Sequence, residues 1–184
     1  MLEGGPPAHR LSPARTAPAA GARAGATVLV VDDDDAIRDF LRSALECEGY
    51  GVLAAGDGLD ALALCERYAP DVILLDLMMP RLSGLAFLAR YRERFGAGPE
   101  AGVPGTPDVP IYVMSAVRAA VDEAAAAGVA GTFVKPFDLD ELLETVGAAV
   151  ERRRLERLSA LAVPLTPAAQ RTRHAPPRSV GRPR

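Results

Sequence analysis

Five short runs of apolar or β-forming residues alternate along the chain with stretches whose apolar positions recur at helical spacing. The runs are Val28–Val31, Tyr50–Ala54, Val72–Leu75, Ile111–Met114 and Thr132–Val134. A short continuous apolar run bounded by polar residues is what a strand buried on both faces requires, as in a parallel sheet. The stretches between them predict helices over about 34–48, 59–68, 84–95 and 119–127, with a fifth from Asp138. In the first, Ile37, Phe40, Leu41, Ala44 and Leu45 share a face, Asp34 or Asp35 can cap the start, and Gly49 ends it. Pro70 closes the second. The last opens with Asp138 and Glu141, spaced like a capping box; Leu139, Leu142, Leu143, Val146 and Val150 form its apolar face, continued loosely by Leu155 and Leu158. Strand–helix alternation implies an α/β fold, a doubly wound parallel sheet with right-handed crossovers.

The ends of these strands carry the chemistry. Val28-Leu29-Val30-Val31 runs into Asp32-Asp33-Asp34-Asp35, and Val72-Ile73-Leu74-Leu75 ends at Asp76. Ligands of open α/β folds bind in the crevice beyond the carboxyl ends of the strands. Asp32, Asp33 and Asp76 meet there if the first and third strands are neighbours, which suits the flavodoxin-like order 2-1-3-4-5. Ser115 follows the fourth strand. Lys135 follows the fifth, and it is the only lysine among 21 basic residues. Carboxylates gathered within a few ångströms repel one another and call for a cation. Oxygen ligands with room for water suit Mg²⁺, and a carboxylate can itself serve as a nucleophile. Phosphoryl transfer needs in-line positioning and neutralised equatorial oxygens. A metal, the point charge of Lys135 and the Ser115 hydroxyl together supply that neutralisation.

Val28-Leu29-Val30-Val31-Asp32-Asp33-Asp34, Asp76-Leu77-Met78-Met79-Pro80, Met114-Ser115-Ala116 and Val134-Lys135-Pro136-Phe137 together resemble the receiver domain of bacterial two-component response regulators. The resemblance covers roughly residues 27–150, in order and spacing. It implies that Asp76 accepts a phosphoryl group from a phosphohistidine on a sensor kinase or phosphotransfer protein. It also implies that Asp33, Asp76 and the backbone carbonyl of Met78 ligate Mg²⁺ directly, with Asp32 acting mainly through water. Ser115 would swing toward the phosphoryl group and shift the surface of the fourth helix, fifth strand and fifth helix, the contact face for a downstream protein. One position departs from the family pattern: three residues before the lysine, where Tyr or Phe is usual, stands Thr132. Phe133, next along, should point to the opposite face of its strand. Met78 and Val117, two residues beyond Asp76 and Ser115, lack groups to orient an attacking water, which predicts a long-lived phosphoryl group. A haloacid-dehalogenase-like phosphatase also uses an aspartate after a strand, but its second aspartate two residues on is here Met78.

Charge divides the chain. Residues 151–184 hold nine arginines and two glutamates, a net of +7, while 27–150 carry -12. The arginine-rich end leaves open a second function class, a DNA-associated regulator held by phosphate contacts, although no helix-turn-helix fits there. Three regions are expected: a disordered extension over 1–26, a receiver domain over 27–153, and a basic helical extension with a disordered tail over 154–184. The Gly/Pro-rich connection 96–109 is longer than most. Apolar residues make up 49% of the chain and aromatic ones only 5%, so the core is mostly aliphatic. No apolar run approaches the ~18 residues of a spanning helix, and the N-terminus lacks the apolar region of a secretory signal. A cytoplasmic monomer or weak dimer is the expectation. Cys47 and Cys65 are expected as buried core fillers without a disulfide, and His9 and His174 as solvated tail residues, so the phosphodonor histidine belongs to another protein.

Overall fold

The computed structural model describes residues 25–95 and 109–161. Five strands and five helices alternate: β1 (Thr27–Val31), α1 (Asp35–Cys47), β2 (Gly51–Ala55), α2 (Gly58–Tyr68), β3 (Val72–Asp76), α3 (Gly84–Phe95), β4 (Ile111–Ser115), α4 (Arg118–Ala126), β5 (Gly131–Val134) and α5 (Leu139–Leu161). The strands form one sheet in the order β2-β1-β3-β4-β5, every pairing parallel. This is the flavodoxin-like arrangement expected. The predicted tails beyond 161 and before 25, and the connection 96–108, lie outside the described residues.

Strand alternation sorts the core into two layers. Leu29, Val31, Ile73, Leu75 and Val113 face α2, α3 and α4, where Ala61, Cys65, Phe87, Leu88, Tyr91 and Ala124 cover them. Val28, Val30, Val72, Leu74, Met114 and Phe133 face α1 and α5, against Leu41, Leu45, Leu142, Val146 and Val150. Each fully buried aliphatic side chain contributes ~1.5–3 kcal/mol relative to exposure, so β1, β3 and β4, buried on both faces, dominate the hydrophobic stabilisation.

The helix ends follow local chemistry. Asp34 caps α1, accepting from Ala36 N at 2.8 Å, and Gly49 beyond its end takes φ +89°, open to glycine at no steric cost. Asp138 accepts from Glu141 N at 3.1 Å as α5 begins.

Four expectations are corrected. β2 begins one residue later than its apolar run, because Tyr50 turns into the α1/α5 core while Gly51 pairs with Thr27. Phe40 is exposed: it sits at the margin of the stripe that Leu41 and Leu45 bury. Cys47, on the last turn of α1, is exposed, whereas Cys65 is buried, and both are free thiols. Leu155 and Leu158 are exposed, and the buried stripe of α5 continues instead through Arg153. Arg153 and Arg157 reach Asp71 at 3.7 and 2.9 Å, just before β3, and Asp71 also accepts from Thr27 N at 2.9 Å. Ion pairing therefore holds the extension of α5 against the start of the sheet, where hydrophobic spacing predicted leucines. Among the described residues no helix is long and apolar enough to cross a membrane.

Candidate functional site

All five strands run the same way, so all their carboxyl ends lie on one edge of the sheet. Asp76 is the last residue of β3 and is nearly buried; Asp32 follows β1 and is 1% exposed. Between them sits the ammonium of Lys135, with Nζ donating to Asp32 Oδ2 at 2.6 Å and to Asp76 Oδ1 at 2.8 Å. Lys135 reaches this point from the loop after β5, where its backbone N donates to Ser115 O at 2.9 Å. Its peptide bond to Pro136 is cis. Three residues 59 and 103 positions apart in sequence thus form one charged cluster.

The backbone completes the cluster. Asp34 N donates to Asp32 Oδ1 at 3.0 Å, and Met78 N to Asp76 Oδ2 at 2.7 Å. Arg38 Nη1 donates to the Asp32 carbonyl at 2.6 Å and its guanidinium pairs with Asp35, which fastens the turn between β1 and α1. Burial raises the Asp32 carboxyl above its ordinary pKa, the Lys135 hydrogen bond opposing this. Burial alone would lower the Lys135 ammonium, but the hydrogen bonds to Asp32 and Asp76 outweigh it and the net shift is upward. The lysine is held charged.

Other expected site residues are placed less directly. Asp33 is exposed beside Asp32. Met78 turns its side chain to solvent, 62% exposed, while Leu77 and Met79 on either side are buried. Ser115 ends β4 fully buried, its Oγ accepting from Val117 N at 3.2 Å. Among the described residues, no three acidic, histidine or cysteine side chains gather as a ready metal cage. The Asp32 and Asp76 carboxylates are nonetheless hard oxygen donors at one strand edge, the chemistry Mg²⁺ prefers. Thr132 pairs with Val113 on the α4 side, whereas Phe133 packs into the α1/α5 layer, its ring 6.1 Å from Tyr112 and from Phe137. The ring beside Thr132 does face away, as alternation demands.

Two features escaped the sequence. Gly84, at the start of α3, has no room for a side chain: a Cβ there would lie 2.3 Å from the carbonyl oxygen of Asp76. Its own N–H donates to Leu77 O at 3.1 Å. Asp57, buried, caps α2 by accepting from Leu59 N at 2.8 Å and Asp60 N at 3.0 Å, and also pairs with Arg81 from the loop after β3. The Asp57-Gly58 step before an apolar helix was a legible cap signal; its partner was not.

Comparison with known proteins agrees with this geometry. The chain is 40% identical over 132 residues to response regulator MprA of Mycobacterium ulcerans, covering 70% of this chain and 52% of that protein. It is 41% identical over 132 residues to MprA of Mycobacterium tuberculosis, with the same coverage. The chain thus spans about half the length of these curated relatives. Among solved structures, the receiver domain of Francisella response regulator 1452 superposes with a TM-score of 0.60 at 31% identity, over 70% of this chain and 98% of that one. The receiver domain of NtrX from Brucella abortus gives 0.58 at 30% identity, over 67% and 98%. Residues 28–147 match the response regulator receiver domain family, and the chain belongs to it.

Proposed function

We propose that Asp76 is the phosphoacceptor of a signalling switch, loaded by a phosphohistidine on a sensor kinase or phosphotransfer protein. The observation that carries this reading is the Lys135 ammonium set between Asp32 and Asp76 at 2.6 and 2.8 Å. In the step proposed, an Asp76 carboxylate oxygen attacks phosphorus in line, the P–N bond to the donor imidazole breaks, and its electron pair returns to the imidazole nitrogen. Lys135 neutralises charge on the incoming group from the Asp76 side, and Asp32 holds the lysine there. Asp32, Asp33, Asp76 and the Met78 carbonyl are the groups to hold Mg²⁺, which when bound neutralises further phosphoryl oxygen charge. Ser115 moves from its Val117 contact to the phosphoryl group, and the change spreads to the α4–β5–α5 face, where a downstream protein binds.

On this reading the domain is a phosphoacceptor whose chemistry is its own phosphorylation and slow dephosphorylation. Because Thr132 occupies the position of the usual aromatic switch and Phe133 faces the other core layer, the shift is carried by Ser115 and its loop without an aromatic partner. The reading places the protein in the cytoplasm, as a monomer or weak dimer. Incubation with acetyl phosphate and Mg²⁺, followed by intact mass measurement, tests it. One added phosphoryl mass on the wild type, absent from Asp76→Ala, is expected; labelling of both would refute the assignment.

The charge segregation favours a second reading, in which the five arginines of the tail 164–184 contact nucleic-acid phosphates. It predicts steeply salt-dependent DNA binding that vanishes when 164–184 are deleted.

A further inference from the structure

Arg81 stands at a joint between two loops. It lies in the connection from β3 to α3, five residues beyond Asp76, with its backbone in the left-handed region at φ +60°. That conformation disfavours a side chain as bulky as arginine, so the surrounding structure must hold it. The guanidinium donates to Asp60 Oδ2 at 3.1 Å and pairs with Asp57, which is buried at the cap of α2. The backbones beside these side chains touch as well: Gly58 N donates to Leu82 O at 3.4 Å, and a Cβ at Gly58 would lie 2.9 Å from that same oxygen. The loop that Arg81 fastens is the one whose Met78 N donates to Asp76 Oδ2 at 2.7 Å.

We infer that Arg81 is a positioning residue: through Asp57 and Asp60 it clamps the β3–α3 loop to the start of α2 and so fixes the Met78 backbone beside Asp76. Arg81 touches neither Asp76 nor an incoming phosphoryl group; it acts through the loop. A buried carboxylate that already spends one oxygen on the α2 cap offers a rigid anchor, since the cap itself fixes Asp57. Asp60, exposed on the first turn of α2, gives the guanidinium a second acceptor and sets its direction. The consequence for function rests on the reading of Asp76 as the phosphoacceptor.

The test breaks the clamp from each side. Arg81→Asn keeps a residue that tolerates the left-handed backbone but removes the charge; Asp57→Asn keeps a good helix cap but removes the ion pair. Amide hydrogen exchange of the full chain, with no metal or phosphodonor present, is followed across 77–84. Arg81→Asn is expected to speed exchange there by about tenfold, Asp57→Asn by less because the Arg81–Asp60 contact survives, and the double substitution by no more than Arg81→Asn alone. Wild-type exchange in Arg81→Asn, or a double variant showing the product of the two single effects, would overturn the inference. As a functional readout, the Mg²⁺ concentration for half-maximal labelling by acetyl phosphate is expected to rise about fivefold in both variants, with the rate at saturating Mg²⁺ little changed. Equal Mg²⁺ dependence in variant and wild type counts against the clamp. Failure of the wild type to label at all refutes the phosphoacceptor reading instead, and the exchange measurement still decides the clamp.

Discussion

Replacing Gly84 by alanine tests how the fold brings α3 against the end of β3, where Asp76 stands. The added Cβ would stand 2.3 Å from the Asp76 carbonyl oxygen, 2.8 Å from Leu77 Cα and 2.9 Å from Leu77 Cδ2. Real Cβ contacts essentially never fall below 3.0 Å, and the first two of these neighbours are backbone. They cannot rotate away as a side chain tip would. Relief requires the start of α3 to move off the end of β3, stretching the Gly84 N–H bond to Leu77 O. Overpacking typically costs 1–3 kcal/mol, and a clash against backbone lies at the upper end, ~3 kcal/mol. Alanine recovers at most ~1 kcal/mol through helix propensity, less at a first helical position. The net loss is therefore about 2 kcal/mol or more, a large share of the 5–15 kcal/mol that stabilises a domain of about this size.

Urea unfolding followed by circular dichroism reads this directly. With slopes of about 1–3 kcal/mol per molar urea for small domains, a loss of about 2 kcal/mol lowers the midpoint of Gly84→Ala by roughly 0.7–2 M. Gly51→Ala supplies the contrast. A Cβ there meets Thr27 Oγ1 at 3.5 Å and Ala26 O at 3.7 Å, ordinary contacts, and Gly51 is exposed. That substitution should be neutral or stabilising by up to ~1 kcal/mol, since alanine narrows the unfolded ensemble. A Gly84→Ala midpoint equal to the wild type, or a drop no larger than that of Gly51→Ala, would refute the argument that α3 packs on the Asp76 carbonyl.

Lys135→Met leaves the Asp32 and Asp76 carboxylates facing without their shared ammonium. Breaking a buried pair costs about 3–5 kcal/mol, discounted here to about 1–3 because the lysine is 17% exposed; an unchanged urea midpoint in metal-free buffer would rule out a stabilising role for the cluster. The side chains of Met78 and Val117 offer no hydrogen bond to an attacking water, so a phosphoryl group placed on Asp76, as proposed, should persist; loss within seconds in Mg²⁺-containing buffer, timed by intact mass, would contradict this. Burial pushes the Cys65 thiol up to about 12 from 9.0, with the Glu66 charge adding to it. Because the folded state holds this proton more tightly, its stabilising effect is complete below pH 9 and is lost as pH rises from 9 toward 12. A thiol reagent at neutral pH should accordingly modify Cys47 in the native protein and Cys65 only after unfolding; two rapid native modifications would show the α2 layer to be open.

What the sequence makes legible is whatever repeats locally. The limits of α3, Gly84–Phe95, follow from its pattern, because a glycine opens it and a Gly/Pro-rich stretch ends it. Once strand–helix alternation implies a parallel sheet, the carboxyl ends of β1, β3, β4 and β5 must share one edge. With β1 beside β3 in the strand order, which alternation alone leaves open, Asp32, Asp76 and Lys135 come within reach of one another on that edge. What stays hidden is polar and long-range. Periodicity assigns Leu155 and Leu158 to the core, yet Asp71, more than eighty residues earlier, takes Arg153 and Arg157 in their place. No spacing rule links Arg81 to Asp57, and nothing about an arginine announces a left-handed backbone. Hydrophobic burial can be read from one strand or one turn of helix, because its partner is any apolar surface. An ion pair needs a particular partner at a particular distance, and only the folded chain supplies it. The strand ends thus fix which residues meet at the site, while the ion pairs around it hold the loops that those residues depend on.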